Sequence, residues 1–188
     1  MAAAMKRGTN VALTREIPNL TGLVLGVDFQ AGAERALADN LVGAVIMCDP
    51  SGKALSNEHF VFFNQLTSPD ESVSELEQRL GEDEDQIEID LTKVPAEVNR
   101  IVAVLYVNDG PAQRRTLGQL KECSLRVLDL ADRRELVRSE NLAPELTSET
   151  AIALGEIYLH NGDWKFKVIG QGYSKGIAGI AADYGITF

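Results

Sequence analysis

The chain has 188 residues, 45% of them apolar and 24% charged, which suits one domain with a sizeable core. Its net charge of −10, with no stripe rich in Lys and Arg, argues against nucleic acid and against anionic membrane surfaces as partners. The longest apolar stretches, such as Ile101–Val107, fall far short of the ~20 residues that span a bilayer, and no apolar segment follows the N-terminal Met-Ala-Ala-Ala-Met-Lys-Arg, so the expectation is a soluble cytoplasmic protein with no membrane insertion.

In chain order, Leu23, Leu25, Val27 and Phe29 alternate with smaller or polar residues and predict a strand. Val42–Cys48, Phe60–Phe63, Ile87–Leu91, Ile101–Val107, Ser124–Leu130 and Glu135–Ser139 are further short β-rich runs bounded by turn formers. Ala151–His160 and Trp164–Ile169 are separated by Asn161-Gly162-Asp163, and an Asn-Gly pair there signals a hairpin because both residues tolerate positive φ. Only Ser174–Tyr184 reads as a helix, with Ile177, Ile180, Ala181 and Tyr184 on one face and Gly185 as its stop. The pattern predicts a mainly β protein, a two-sheet β-sandwich with minor helices including one at the C-terminus.

Cys48 and Cys123 lie in apolar runs without Cys-x-x-Cys spacing, and read as buried free thiols of a reducing compartment. Gly172-Tyr173-Ser174-Lys175-Gly176 fits Gly-x-Ser-x-Gly, but no His follows His160, so the acid and base of a serine hydrolase are missing downstream. Gly170-Gln171-Gly172 leaves no room for a dinucleotide-binding unit and reads as a turn from strand to helix. His59 and His160 fit no zinc pattern, and no catalytic constellation stands out.

The charge is concentrated. Between Ser68 and Asp90 lie Asp70, Glu71, Glu75, Glu77, Glu82, Asp83, Glu84, Asp85, Glu88 and Asp90 against the single base Arg79. Two carboxylates ~4 Å apart repel by roughly 1 kcal/mol in water and about 4 kcal/mol at an effective dielectric of about 20, so such a cluster calls for water, a cation or a basic partner. The loop Gly81–Gln86 is the strongest candidate site, because Ca²⁺ takes about six to eight oxygen ligands and closely spaced acids supply several at once. It does not match an EF-hand, and a merely hydrated loop is the competing reading.

Several ordered segments resemble the TerD-domain family of tellurite-resistance and general stress proteins. They include Arg7-Gly8-Thr9-Asn10-Val11-Ala12-Leu13-Thr14, Leu25-Gly26-Val27-Asp28, Phe60 to Asp70, Asp90-Leu91-Thr92-Lys93-Val94-Pro95-Ala96, Gly118-Gln119, Thr147 to Ala151, Gly155-Glu156-Ile157-Tyr158 and Trp164 to Gly172. The resemblance implies a single domain over residues 7–188 with an N-terminal extension at 1–6. It also implies a non-enzymatic cytoplasmic β-sandwich that binds Ca²⁺ through acidic loops and works with other proteins of a stress complex.

On that resemblance, Glu82, Asp83, Glu84 and Asp85 are the first metal ligands expected. Asp28 matches a Gly-x-Asp stretch by position, Asp109 stands beside Asn108 where relatives carry a His-Asp pair, and Asn40 and Asn64 offer side-chain oxygens; each of these four equally reads as an Asx turn or a strand-end cap. An Asp-Leu-Asp-Ala-Ser tract of relatives falls on Asn40-Leu41-Val42-Gly43-Ala44, and a Gly-Asp-Asn tract falls near Glu77-Gln78-Arg79. Those changes remove carboxylates, so one Ca²⁺ site is expected in preference to two. They also suggest that Arg79 supplies, among Glu82, Asp83 and Asp85, charge that a metal supplies elsewhere. The rival reading is a metal-independent protein-interaction module with an acidic docking face.

Overall fold

The computed structural model describes residues 4–76, 83–108 and 115–187. In chain order these form β1 (Asn10–Ala12), β2 (Gly22–Gln30), α1 (Arg35–Asp39), β3 (Leu41–Cys48), β4 (Phe60–Val61), β5 (Val73–Glu75) and β6 (Asp85–Asp90). Then come β7 (Arg100–Val107), β8 (Glu122–Asp129), β9 (Glu135–Arg138), β10 (Ala151–His160), β11 (Asp163–Tyr173) and α2 (Ile177–Tyr184), with short 3₁₀ turns at Asn57–His59, Leu117–Gln119 and Ala143–Glu145. Two antiparallel sheets face each other, in the orders β1-β11-β10-β7-β3-β4 and β5-β6-β2-β8-β9. The expected two-sheet sandwich with a C-terminal helix is the architecture found.

The near-continuous apolar runs of β3 and β7 have a simple cause: both faces of that sheet are covered. Side chains alternate across a strand, so Ile101, Ala103 and Leu105 of β7 enter the core between the sheets while Val102, Val104 and Tyr106 enter a second core on the outer face. Ala44, Ile46 and Cys48 of β3 join that outer core, and α2 covers it with Ile180 and Ala181. By contrast, β2 sends Leu23, Leu25, Val27 and Phe29 into the inner core. Both cysteines are free and buried, and burial pushes each thiol up to about 12.

Several boundaries differ from expectation. The strand expected over Phe60–Phe63 stops at Val61, because Phe62–Gln65 closes a tight turn in which the Phe62 and Gln65 backbones exchange hydrogen bonds at 3.1 and 2.9 Å. The chain then crosses to the other sheet, where the Glu75 N–H donates to Leu66 O at 2.8 Å. Gly170–Gly172 is not the expected turn: β11 continues to Tyr173, and the slip in its register with β10 is absorbed at Gly170, whose φ is +69°. Arg7 Nε donates to the Gly170 carbonyl at 3.0 Å there. The turn proper is Ser174–Gly176, so α2 starts at Ile177 and not at Ser174, while Gly185 ends it in the left-handed conformation as read. The short elements β1, β5 and α1 were not expected, since three to five residues carry too little periodicity to register. The Asn161-Gly162 hairpin has the positive φ values that its sequence calls for.

Because Ile180 is fully buried between α2 and the sheet, Ile180→Ala should cost about 2–5 kcal/mol. For a chain of this size that lowers the thermal midpoint by roughly 5–15 °C, read by circular dichroism. Ala182→Ser, on the exposed side of the same helix, should leave it nearly unchanged. An equal effect of the two would contradict the covered-face assignment.

Candidate metal centre

Strand parity decides where the acids of β6 go. Ile87 and Ile89 enter the inner core, so Asp85, two positions before Ile87, also faces inward, at the end of the strand where the sheets open. Its Oδ2 accepts the Gly43 N–H at 3.1 Å. β4 pairs with only Val45 and Ile46 of β3, which leaves the strand edge open at Gly43. A Cβ on Gly43 would lie 2.9 Å from that oxygen, so glycine is what admits the carboxylate.

A cavity of about 300 Å³ opens there, with Asp39, Asn40, Phe63, Glu75, Asp85 and Asn108 among its walls. Asp39 comes from the end of α1, Glu75 from the end of β5, and Asn40 and Asn108 are joined by a backbone bond of 2.6 Å from Asn108 N to Asn40 O. Asn40 Nδ2 donates to Ala36 O at 2.7 Å, so any ligand role falls to its carbonyl oxygen. Among the described residues, no Lys or Arg lines this mouth.

Asp83 behaves differently. Gln86, Gly26, Arg126 and Arg138 stand in register on neighbouring strands, and the missing side chain at Gly26 leaves a gap in that row. The Asp83 carboxylate fills it: a Cβ on Gly26 would be 2.2 Å from Asp83 Oδ2. Arg126 Nε donates to its two oxygens at 2.7 and 3.0 Å, and Gln86 Nε2 donates to Oδ2 at 2.8 Å. The Asp83 side chain is only 2% exposed. Arg126 Nη1 also reaches Glu135 Oε1 at 3.4 Å, and hydrogen bonds from Arg138 hold the Glu135 carboxyl below its usual range. A pocket of about 50 Å³ beside this network is lined by Asp28, Asp83, Ser124, Arg126 and Arg138.

The acids expected as one ligand loop are therefore dispersed. Asp83 lies on the outer face of one sheet, Asp85 enters between the sheets, and Glu84, whose N–H donates to Val27 O at 2.9 Å, borders a separate cavity of about 320 Å³ beside Ala38. Asn64 sits exposed in the Phe62–Gln65 turn and is not part of the mouth, although its neighbour Phe63 is. Glu82, Asp109 and Arg79 lie outside the described residues. The internal counter-cation observed for Asp83 is Arg126, which no local sequence signal announces, as the two are 43 positions apart. Asp39 and Glu75 were not among the expected ligands; the alternation Val73, Glu75 would have placed Glu75 inward. Among the described residues, no three His, Cys, Asp or Glu side chains stand close enough together to hold an ion as positioned.

Asp28 sits on β2 opposite Ser124. Burial first, then the charges of Glu122, Asp83 and Glu84, push its carboxyl above the usual range, with Arg126 pulling the other way. A group whose pKa is raised by folding gives stability below its unfolded value and loses it as pH rises through the folded value. Asp28→Asn should therefore raise the thermal midpoint in EDTA at pH 7, and the gap should narrow as pH falls toward about 4. A gap that does not vary with pH, or that has the opposite sign, would contradict this.

The TerD domain model matches residues 1–184. Tellurium resistance protein TerD of Serratia marcescens is 33% identical, the alignment covering 100% of this chain and 99% of that protein. General stress protein 16U of Bacillus subtilis (strain 168) is 35% identical over 99% of this chain and 98% of its own length. A solved structure described as a homologue of telluride resistance protein (TerD) from Streptomyces coelicolor A3(2) superposes with a TM-score of 0.65 at 13% identity, covering 87% of this chain and 96% of that one, a likeness of fold. With a match over nearly its whole length and full-length relatives above 30% identity, this chain belongs to the TerD domain family.

Proposed function

We propose that this chain is a non-enzymatic stress-response protein of the tellurite-resistance type, acting in the cytoplasm, and that it binds Ca²⁺ at the mouth of the sandwich. The reading is supported by relatives that carry tellurium-resistance and general-stress names. The observation that carries the metal assignment is the gathering of oxygen donors around one cavity. Two groups of acids stand at this end of the fold: Asp28 and Asp83, with Arg126 and Arg138 in the same wall, and Asp39, Glu75 and Asp85, which line one cavity of about 300 Å³ together with Asn40 and Asn108.

A divalent cation belongs in the second. Asp39, Glu75 and Asp85 would hold it with carboxylate oxygens, helped by the side-chain carbonyls of Asn40 and Asn108. This all-oxygen set suits a hard ion such as Ca²⁺ and not a soft one. Bound there, the ion would neutralise the carboxylates and tie together the ends of α1, β5, β6 and β7. Asp83 contributes no oxygen in this reading, since Arg126 and Gln86 already use both.

A second reading, docking of other proteins of a stress complex on the acidic face, draws on one observation. Phe63 and Leu66, on the segment that borders the mouth, keep 46% and 38% of their surface exposed. Capture of basic proteins that weakens with salt and ignores EDTA would favour it.

Thermal melting in EDTA and in millimolar Ca²⁺ separates the two. At a hundredfold excess over Kd, bound Ca²⁺ adds about 2.7 kcal/mol, a rise of roughly 5–10 °C for this chain length. Asp85→Asn should abolish most of that rise. Asp132→Asn, in the β8–β9 turn at the far end of the sheet, should keep it. A midpoint indifferent to Ca²⁺ would remove the metal assignment.

A further inference from the structure

Asp83, Glu84 and Asp85 are consecutive acids, yet one carboxylate lies flat on the outside of a sheet and another points between the sheets. Something must hold the chain in that course against the mutual repulsion of its charges. We propose that Arg126 is the positioning residue of the acidic segment: by pinning Asp83 over Gly26, it directs Asp85 into the mouth before any cation arrives.

Three features carry this. Contact is made at both oxygens of Asp83 from one Nε, with Gln86 as a second donor, so the carboxylate is fixed in orientation as well as in place. The guanidinium is itself held from behind, since Nη1 meets Glu135 and Glu135 is gripped by Arg138 at 2.5–3.2 Å. A lysine has one charged nitrogen and cannot serve Asp83 and Glu135 with the same fork geometry. The pin is also immediately upstream of the first ladder contacts, because Glu84 N bonds Val27 O and Asp85 stands in register with Val27. Without Arg126, a carboxylate that is 2% exposed would stand near Asp28 with no hydrogen bond from a guanidinium, since Arg138 in the same wall is engaged by Glu135, and the strand start would leave the sheet to reach water.

The effect on calcium rests on the mouth being the calcium site, whereas the effect on the chain does not. The test is amide hydrogen exchange in EDTA together with calorimetric titration of Ca²⁺, on wild type, Arg126→Gln, Arg126→Lys and Gly26→Ala. In Arg126→Gln the Glu84 and Asp85 amides should exchange about tenfold faster or more, while Val104 in the opposite sheet changes far less, as expected of local opening. The Ca²⁺ Kd should rise by about tenfold or more, the scale seen when a group that orients metal ligands is lost. Arg126→Lys should fall between. Gly26→Ala keeps the guanidinium and displaces Asp83, so it should show the same local signature even if Arg126→Gln does not fold.

Glu84 and Asp85 exchanging within about twofold of wild type in a folded variant would overturn the proposal. So would uniform acceleration across all strands, the mark of general destabilisation. Wild-type protein that gives no calcium heat would overturn the calcium reading, and the exchange rates would still decide this one.

Discussion

Everything at the working end of this fold depends on how the acids at the start of β6 are compensated. Folding brings them beside Asp28, Glu75 and Asp39, and like charges that close cannot be left to themselves at a protein surface, still less between two sheets. The chain divides the load. Asp83 is neutralised from within by Arg126, and removing one member of such a buried pair costs about 3–5 kcal/mol. Asp85 takes the Gly43 N–H and enters the mouth beside Asp39 and Glu75. The first is an ion pair inside the fold, and the second brings carboxylates from α1, β5 and β6 to one cavity.

The rest of the sandwich makes that division possible. α2 covers the outer face of the β3–β7–β10 sheet, so these strands are rigidly packed on both sides and their ends are fixed in space. The crossing between Phe60 and Glu75 closes one side of the molecule and delivers Phe63 and Glu75 to the mouth. Two glycines, Gly26 and Gly43, then act as sockets: each lacks the one atom that would collide with an aspartate. Their place in the strands is explained by the carboxylates they receive and not by turns.

Much of the architecture was legible in the sequence because it rests on period and turn chemistry. The alternation in β2, the apolar runs of β3 and β7, the Asn161-Gly162 hairpin and the Gly185 stop all have local causes. The site was legible only in part. An acidic window can be counted, but which acid meets which partner depends on register across strands, and Asp83 with Arg126 is a contact between distant segments. Reading Asp83, Glu84 and Asp85 as one loop missed that the strand begins at Asp85 and sends neighbours to different places. Gly170 misled in the other direction, since a glycine of positive φ serves a bulge inside a strand as well as it serves a turn.

The most direct measurement is a crystal structure of the protein grown or soaked with Mn²⁺ as an anomalous stand-in for Ca²⁺. The account predicts an anomalous peak at the mouth, among the oxygens of Asp39, Glu75 and Asp85, and none beside Arg126. A peak at Asp83 with the guanidinium turned away, or water alone at the mouth, would contradict it.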